Sequence, residues 1–357
     1  MKRALSYIIP LIAGFFACIP FIYFKLQPPV HWWPLIITYA GFVGMYLLFL
    51  KVEFPVKLVV LLGFVNCFFS SVPYLSFNAY VSVVFCCYFY VGVTRMESWA
   101  PTFKMLKAVL VLNLLLIAAQ FFSQDRLLNF GQDHITQFGV VGQHMQEASF
   151  IVILSALLVQ LHPAFLFIPV LVAVFCNSSW ALFCIAVGVW VYFPSKKWRG
   201  VAIMVALAFV LMGWATHKFE TNLAQNNRLH TWRRTVELTN ERPWTGWGIG
   251  TYKVIFPVKG GISGIPWKTA HNDWLQFLFE LGYPMFVLLM VGVVGVSWRL
   301  MIRYNEIVCS RVLAGFSMIV VDMTVHFPAR MIQSVLLILI FLAYCELTFQ
   351  RRTIRKI

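Results

Sequence analysis

Long apolar runs constrain this chain more than any other feature of its sequence. Hydrophobic residues make up 61% of the chain, charged residues make up 11%, and the mean hydropathy is +0.79. A helix needs roughly 20 apolar residues to cross the hydrocarbon of a bilayer. Such stretches are centred near residues 14, 42, 65, 85, 114, 154, 169, 186, 208, 290, 319 and 339. This composition excludes an ordinary water-soluble domain and predicts an all-α polytopic membrane protein with about 12 transmembrane helices.

The positions of Lys and Arg predict the orientation, because cytoplasmic loops near span ends are enriched in both residues. With the N-terminus inside, most basic residues fall in cytoplasmic loops and in the C-terminal tail. Both termini are then cytoplasmic. The expected parts are an N-terminal transmembrane bundle of about nine spans over 1–215, an outer loop with short helices over 216–282, and C-terminal spans with a basic tail over 283–357.

The long outer loop breaks this charge pattern. Between about residues 216 and 270 it holds eight Lys and Arg residues against three Glu residues, hence a net charge of +5. Long translocated loops are largely exempt from the charge rule, so the excess is compatible with a solvated surface. The sharper interpretation is an anion site, because Arg side chains bind phosphate oxygens in bidentate fashion. The overall charge of +15 does not indicate nucleic acid, since most of it is the inward-facing topology signal.

The sequence lacks the usual motifs of metal and nucleotide sites. Its eight cysteines lie mainly in or beside apolar spans with no Cys-x-x-Cys, which is typical of small buried hydrophobic residues. It contains no P-loop, no His-Glu-x-x-His and no Asp-x-Asp pair that could hold a divalent cation against a diphosphate. We therefore expect no metal and no cofactor, and if the chain handles a diphosphate, cationic side chains replace the metal.

The outer loop contains a predicted helix followed by a glycine turn. In "RLHTWRRTVELTNERPWTGWGIGTY", residues 228–252, Leu229, Trp232 and Val236 recur at helical spacing and Arg233 can reach Glu237. Pro243 ends the helix. Three alternating glycines then predict a tight turn, with a ligand cradle formed by backbone N–H groups as the less favoured alternative.

A second short helix comes next, in "TAHNDWLQFLFELG", residues 269–282. Asn272, Gln276 and Glu280 lie on one predicted stripe, while an apolar side forms opposite. His271 falls in the first predicted turn, where the positive helix end favours a neutral imidazole. It is interpreted either as a hydrogen-bonding anchor or as a general base. Gly282 is predicted to close this helix before Pro284 opens the next span.

Together these two segments resemble the outer-loop signature of the O-antigen ligase/polymerase family. The shared order is Arg, Trp, Pro-x-x-Gly-x-Gly, His-Asn and Glu-x-Gly, strongest over about residues 225–290. The resemblance implies a metal-independent, inverting glycosyltransferase of the GT-C type in the bacterial inner membrane. Such proteins transfer a glycan from undecaprenyl diphosphate, on the periplasmic side, to a hydroxyl acceptor.

The resemblance also implies roles for individual residues. Arg228 would bind the diphosphate, with Arg233 or Arg234, and His271 would be the general base. Asn272 and Asp273 would orient the imidazole or the acceptor, with Trp232 and Gly248 in support.

The acceptor stays open between branches of the family. It is lipid A core sugar in ligases, to which the interpretation leans, the growing glycan in polymerases, and a protein hydroxyl in a third group. A polysaccharide flippase or other transporter is the alternative outside enzymes, although polar residues concentrate here in one outer loop rather than at the bilayer midplane.

Two departures from the family pattern concern other spans. Relatives commonly carry an Arg near the start of an earlier span, where this chain reads "NSSWALF" with Trp180, and Arg126 or Arg330 could substitute. Relatives also often show His-x-x-x-Asp-Phe-Pro, whereas "VDMTVHFPAR" places Asp322 before His326. The spacing predicts both on one helical face, either as a brace or as a functional hydrogen-bonding unit.

Overall fold

The computed structural model describes residues 2–17, 54–123, 144–170, 178–193, 228–260, 268–302 and 307–354. Within these ranges the chain is helical and contains no strand, which confirms the all-α class. The spans predicted near residues 42 and 208 and the candidate Arg126 lie outside the described residues. The count of about 12 spans therefore stays a prediction.

The helices follow the apolar runs closely. They are α1 (Lys2–Ala17), α2 (Phe54–Phe69), α3 (Pro73–Thr94), α4 (Ala100–Ser123), α5 (His144–Leu158), α6 (Ser179–Tyr192), α7 (Arg228–Glu241), α8 (Tyr252–Lys259), α9 (Asp273–Ile302), α10 (Ile307–Asp322) and α11 (Ile332–Ile354). Short 3₁₀ helices cover Pro163–Leu166 and Pro328–Arg330. His162 separates α5 from the first of these, because its side chain caps the 3₁₀ helix that begins at Pro163.

Three of the described helices are long and apolar enough to cross a membrane: Pro73–Thr94, Ala100–Gln120 and Asp273–Ile302. Shorter apolar helices lie at Arg3–Gly14, Phe54–Phe69, Gln146–Leu158, Trp180–Tyr192 and Ile332–Leu347. These helices identify the chain as a membrane protein.

Helix α9 consists of two helical pieces joined at Gly282, where φ is 73° and ψ is 172°. This confirms that Gly282 closes the short helix and that a span begins near Pro284. Beyond the break, large apolar side chains are exposed, including Val287, Val291 and Trp298. Such exposure costs little in lipid but would be unfavourable in water, so this part of α9 is built to contact the bilayer.

The helices form two compact units. The first contains Met1–Ile22, Gly92–Phe219 and Val296–Ile357, and the second contains Tyr23–Val91 and Glu220–Gly295. In the first unit α10 packs against α5 and α6, and α11 packs against α5 and α1. Helix α5 is buried on every side from Gln146 onwards, so it forms the centre of this unit.

The second unit has two hydrophobic clusters. One joins α2 to α3 and includes Val60, Phe77 and Tyr80, whose hydroxyl donates to the carbonyl of Val60 at 3.1 Å. The other lies within residues 228–260 and 268–281, which the sequence predicts to be the outer loop and which are called the outer-loop segment. It consists of Leu238, Trp247, Tyr252, Phe256, Ala270 and Phe279. The outer-loop segment therefore has its own core, which fixes α7, α8 and the start of α9 in one arrangement.

Candidate functional site

Arg228 begins α7 and is buried in the second unit, with 8% of its surface exposed. Burial lowers the pKa of its guanidinium, because removing a charge from water disfavours the charged form. The same helix face carries Thr231, Thr235, Leu238 and Thr239, all buried. A buried guanidinium of this kind can bind an anionic group through charge-assisted hydrogen bonds.

The buried face of α7 is not the face that carries Leu229. Leu229 is 57% exposed, whereas the threonines at positions 231 and 235 are buried. For Thr235 the reason is hydrogen bonding that the apolar pattern does not show. The Thr235 hydroxyl contacts the carbonyl of Thr231 at 2.7 Å and the hydroxyl of Tyr252 at 2.9 Å. Satisfied hydroxyl groups can be buried at little cost.

Arg233 and Arg234 lie on a different part of α7 from Arg228. Five and six residues along a helix correspond to a rotation of roughly 120 to 140° away. Both bind Glu237, at 3.1 and 3.0 Å, which confirms the predicted contact of Arg233 with Glu237. The hydrogen bond from Arg234 lowers the pKa of the Glu237 carboxyl. The described geometry thus pairs these two cations with a carboxylate and does not bring them beside Arg228.

His271 has a left-handed backbone, with φ of 51°, the one non-glycine residue with positive φ among those described. Its predicted place in the first helical turn was wrong, since α9 begins at Asp273. Asn272 is the N-cap, because its side-chain oxygen accepts from the N–H of Leu275 at 3.0 Å. The cap preference of Asn, followed by the acidic Asp273, is the sequence signal that could have placed His271 before the helix.

Two side chains fix the residue that precedes His271. The Trp232 indole donates to the carbonyl of Ala270 at 2.8 Å, and the N–H of Ala270 donates to the Gln276 side-chain oxygen at 3.2 Å. Trp232 lies four residues after Arg228, which is one helical turn. The first bond therefore joins the turn of α7 that begins with Arg228 to the backbone beside His271.

The polar stripe at the start of α9 faces inwards. Asp273, Gln276 and Glu280 are each at most 4% exposed, and the Gln276 amide donates to Glu280 at 3.2 Å. Trp274 and Leu275 on the opposite side are partly exposed. A buried polar stripe of this kind is typical of a helix whose polar side lines a protein interior at the membrane.

The glycine turn is packed between helices. The N–H groups of Trp247 and Gly248 donate to the carbonyls of Phe279 and Glu280 at 2.9 and 3.0 Å. A Cβ added at Gly248, where φ is 104°, would lie 2.1 Å from the Ser70 hydroxyl. These contacts agree with a structural turn and leave the N–H of Gly248 engaged within the protein.

Asn66 of α2 was not singled out from the sequence, yet it binds both sides of this turn. Its amide donates to the carbonyl of Thr245 at 2.9 Å and accepts from the N–H of Ile249 at 3.1 Å. A single Asn in the apolar run "FPVKLVVLLGFVNCFF" was the available signal, since polar groups in such runs usually have a partner.

Asp322, His326 and Arg330 belong to the first unit. The predicted Asp322–His326 pair is present, with His326 Nδ1 2.7 Å from the Asp322 carboxylate. Helix α10 ends at Asp322, so the prediction that both share a helical face was wrong. The pair forms instead across the turn after this helix. Ser149 of α5 also donates to Asp322, and Arg330 closes the next 3₁₀ helix.

Trp180 is the second residue of α6, and its ring contacts that of Phe183 at 4.9 Å. Among the described residues, no group of three His, Cys, Asp or Glu side chains is placed to hold a metal ion. Metal independence therefore stays part of the proposal below.

The fold defines a helical membrane protein in which buried polar residues gather in the segments 228–260 and 268–281. Comparison with known families then specifies the class further, because residues 162–290 match the family model described as O-Antigen ligase. The match includes Arg228, Trp232, Gln276 and His271, and it confirms the resemblance predicted from the sequence. The chain is thus similar to the O-antigen ligase family over these residues. No curated protein matches the chain.

Proposed function

We propose that this chain is a membrane glycosyltransferase that transfers a glycan from undecaprenyl diphosphate to a hydroxyl acceptor on the periplasmic face. The family domain supports the reaction class. Lipid A core is the acceptor that we favour, as in a ligase. A growing glycan, as in a polymerase, or a protein hydroxyl are the alternatives within the family.

One observation carries this proposal: a buried guanidinium and a strained histidine are joined through one indole. Arg228 and His271 lie in the same compact unit, and the Trp232 bond of 2.8 Å to Ala270 joins their two segments. A backbone in a sparsely populated conformation persists where the surroundings determine it, and such residues cluster at functional sites. The pair thus supplies a cation for a leaving group and a base for a nucleophile.

The proposed reaction uses these two side chains directly. The His271 imidazole removes the proton from the acceptor hydroxyl, whose oxygen forms a bond to the anomeric carbon of the donor sugar. The bond from that carbon to the diphosphate oxygen breaks on the opposite side, so the anomeric centre inverts. Undecaprenyl diphosphate leaves with the electron pair, and Arg228 neutralises the developing charge. The desolvated guanidinium favours this step, since electrostatic attraction is stronger away from water.

The remaining candidate residues have supporting roles in the proposal. Asn272 caps α9 and thereby orients the segment beside His271, and buried Asp273 would orient the imidazole or the acceptor. Gly248 would let the turn pack closely below the site. Arg233 and Arg234 would add a peripheral phosphate contact by exchanging Glu237 for the ligand. The supporting roles of Asp322, His326 and Arg330 stay predictions from the sequence.

The proposed setting is the bacterial inner membrane. The complete protein would have about 12 spans in a GT-C-like arrangement, with both termini cytoplasmic and membrane lipids around the spans. The donor would enter from the outer leaflet, because its polyprenyl chain lies in the bilayer and its glycan lies on the periplasmic side. No metal ion or cofactor takes part in this proposal.

The test is transfer by the purified protein, with lipid-diphosphate-linked glycan as donor and lipid A core, glycan or peptide as acceptor. Arg228→Ala and His271→Ala should each reduce transfer by at least about 100-fold, and Arg228→Lys should restore only part of it, because Lys lacks the planar fork. Asn240→Ala is the matched control, since Asn240 accepts an exposed bond from Tyr283 in the same segment. Retained transfer in both Ala variants contradicts the assignment. Glycan that crosses the bilayer without bond cleavage favours a flippase.

A further inference from the structure

We infer that Gln276 is a positioning residue that, together with Glu280, holds the backbone of Ala270 and so fixes the direction of the His271 imidazole. This inference rests on the proposed function of His271 as the base. It concerns a different residue and a different kind of contact, since Gln276 acts on the backbone beside His271.

The hydrogen bonds of Gln276 form a series in which each donor and acceptor role is fixed. The Gln276 side-chain oxygen accepts from the N–H of Ala270 at 3.2 Å, and its amide nitrogen donates to the Glu280 carboxylate at 3.2 Å. Reversing the amide would turn its NH₂ group towards the Ala270 N–H and its oxygen towards a carboxylate. Both contacts would be repulsive, so Glu280 selects the orientation in which Gln276 accepts from the backbone.

Burial makes this selection strict. Gln276 is 4% exposed and Glu280 is 1% exposed. A buried side-chain amide that loses a hydrogen-bond partner incurs its full desolvation cost, because bulk water does not reach it to replace the partner. The two side chains are four residues apart on one helix, so α9 itself sets their separation.

The chain of bonds also explains how His271 keeps its backbone conformation. A left-handed residue other than glycine is unfavourable by about 1 to 2 kcal/mol. Ala270 before it is held at both its N–H and its carbonyl, and Asn272 after it is held as the N-cap of α9. With both neighbours fixed, the backbone sets the direction in which the His271 side chain leaves the main chain.

The first test removes the bonds without removing the base. Gln276→Leu should lower kcat by about 10- to 100-fold, since small displacements of a reacting group have effects of that size. The KM for the lipid-linked donor should change by less than about twofold, because Arg228 is untouched. Trp232→Phe, which keeps an aromatic side chain and loses the indole N–H, should lower kcat in the same way. Asn240→Ala again serves as the control.

The second test exchanges the two side chains. In the double variant Gln276→Glu with Glu280→Gln, the new carboxylate accepts from the Ala270 N–H and from the new amide, so both bonds are restored with the same number of charges. The double variant should recover kcat to within about threefold of wild type, whereas Glu280→Gln alone should stay impaired because it no longer selects the amide orientation. If Gln276 only stabilised the fold, variants of equal thermal stability would have equal kcat, whether or not they keep the bond to the Ala270 N–H.

Hydrogen exchange provides a measurement that does not need substrate. The amide of Ala270 should exchange at least about tenfold faster in Gln276→Leu than in wild type, because the bond that protects it is gone. Unchanged exchange, or wild-type kcat in a folded Gln276→Leu protein, overturns the inference. So does a double variant that folds but stays inactive. If wild type transfers no glycan to any acceptor, the proposed function fails, and the exchange of Ala270 alone then decides whether Gln276 holds it.

Discussion

Gly246 leaves no room for a side chain beside the break in α9, so its replacement by Ala should be strongly destabilising. Its φ is +66°, and a Cβ built there would lie 2.5 Å from the carbonyl oxygen of Glu280 and 2.5 Å from the nitrogen of Gly282. Both of these are backbone atoms. Neither can turn aside as a flexible side chain would, so the turn after α7 and the break in α9 must separate.

The size of the effect comes from two contributions. A left-handed conformation with a Cβ costs about 1 to 2 kcal/mol, and forcing extra volume into a packed joint costs about 1 to 3 kcal/mol. Gly246→Ala should therefore lower the free energy of unfolding by about 2 to 5 kcal/mol. The bonds from Trp247 to Phe279 and from Gly248 to Glu280 cross the same joint and should weaken with it.

Gly292 provides the matched control. It lies in α9, and a Cβ added there meets no described atom within 4 Å. Gly292→Ala should change stability by less than about 1 kcal/mol, in the stabilising direction expected for Ala in a helix. Unfolding of both variants in detergent would be followed by the fluorescence of the tryptophans. A Gly246→Ala protein within about 0.5 kcal/mol of wild type would refute the described packing of the joint.

Three further predictions concern other parts of the molecule. Asp322→Ala leaves Ser149 and His326 without their shared buried partner. It should lower the free energy of unfolding by about 3 kcal/mol or more, as measured by unfolding in nanodiscs. A change below about 1 kcal/mol would contradict this prediction. Arg233→Ala removes an exposed pair with Glu237 and should change stability by less than about 1 kcal/mol, and a larger loss in the same measurement would show a further role. Trp244 is 77% exposed, and the carbonyl of the preceding Pro243 accepts from Tyr283 at 2.8 Å, next to the lipid-facing part of α9. A probe attached to Trp244→Cys should thus be quenched by headgroup-level spin labels more than by labels at the chain ends, and the opposite order would place this turn elsewhere.

Local signals predicted much of the loop correctly. The residues that end helices act through their own backbone, and for this reason Pro243 and Gly282 were correctly placed as the ends of the two short helices. The contact of Arg233 with Glu237 was also predictable, because both side chains lie on one helix at a fixed spacing.

Long-range contacts account for what the sequence could not predict. Thr235 is buried whereas Leu229 is exposed, since the carbonyl of Thr231 and the hydroxyl of Tyr252 supply the partners of the Thr235 hydroxyl. The inward side of α9 likewise depends on its surroundings, because an amphipathic pattern does not say whether water or protein meets its polar stripe. Gln276 reaches Ala270 only after the chain turns left-handed at His271, and no propensity scale predicts that turn.

The most direct test of the account is a structure of the protein with an unreactive lipid-diphosphate glycan bound. We expect a phosphate oxygen within hydrogen-bonding distance of the Arg228 guanidinium. We expect the His271 imidazole on the side of the anomeric carbon opposite to the diphosphate. A diphosphate bound away from Arg228, or an anomeric carbon that does not face His271, would contradict the proposed function.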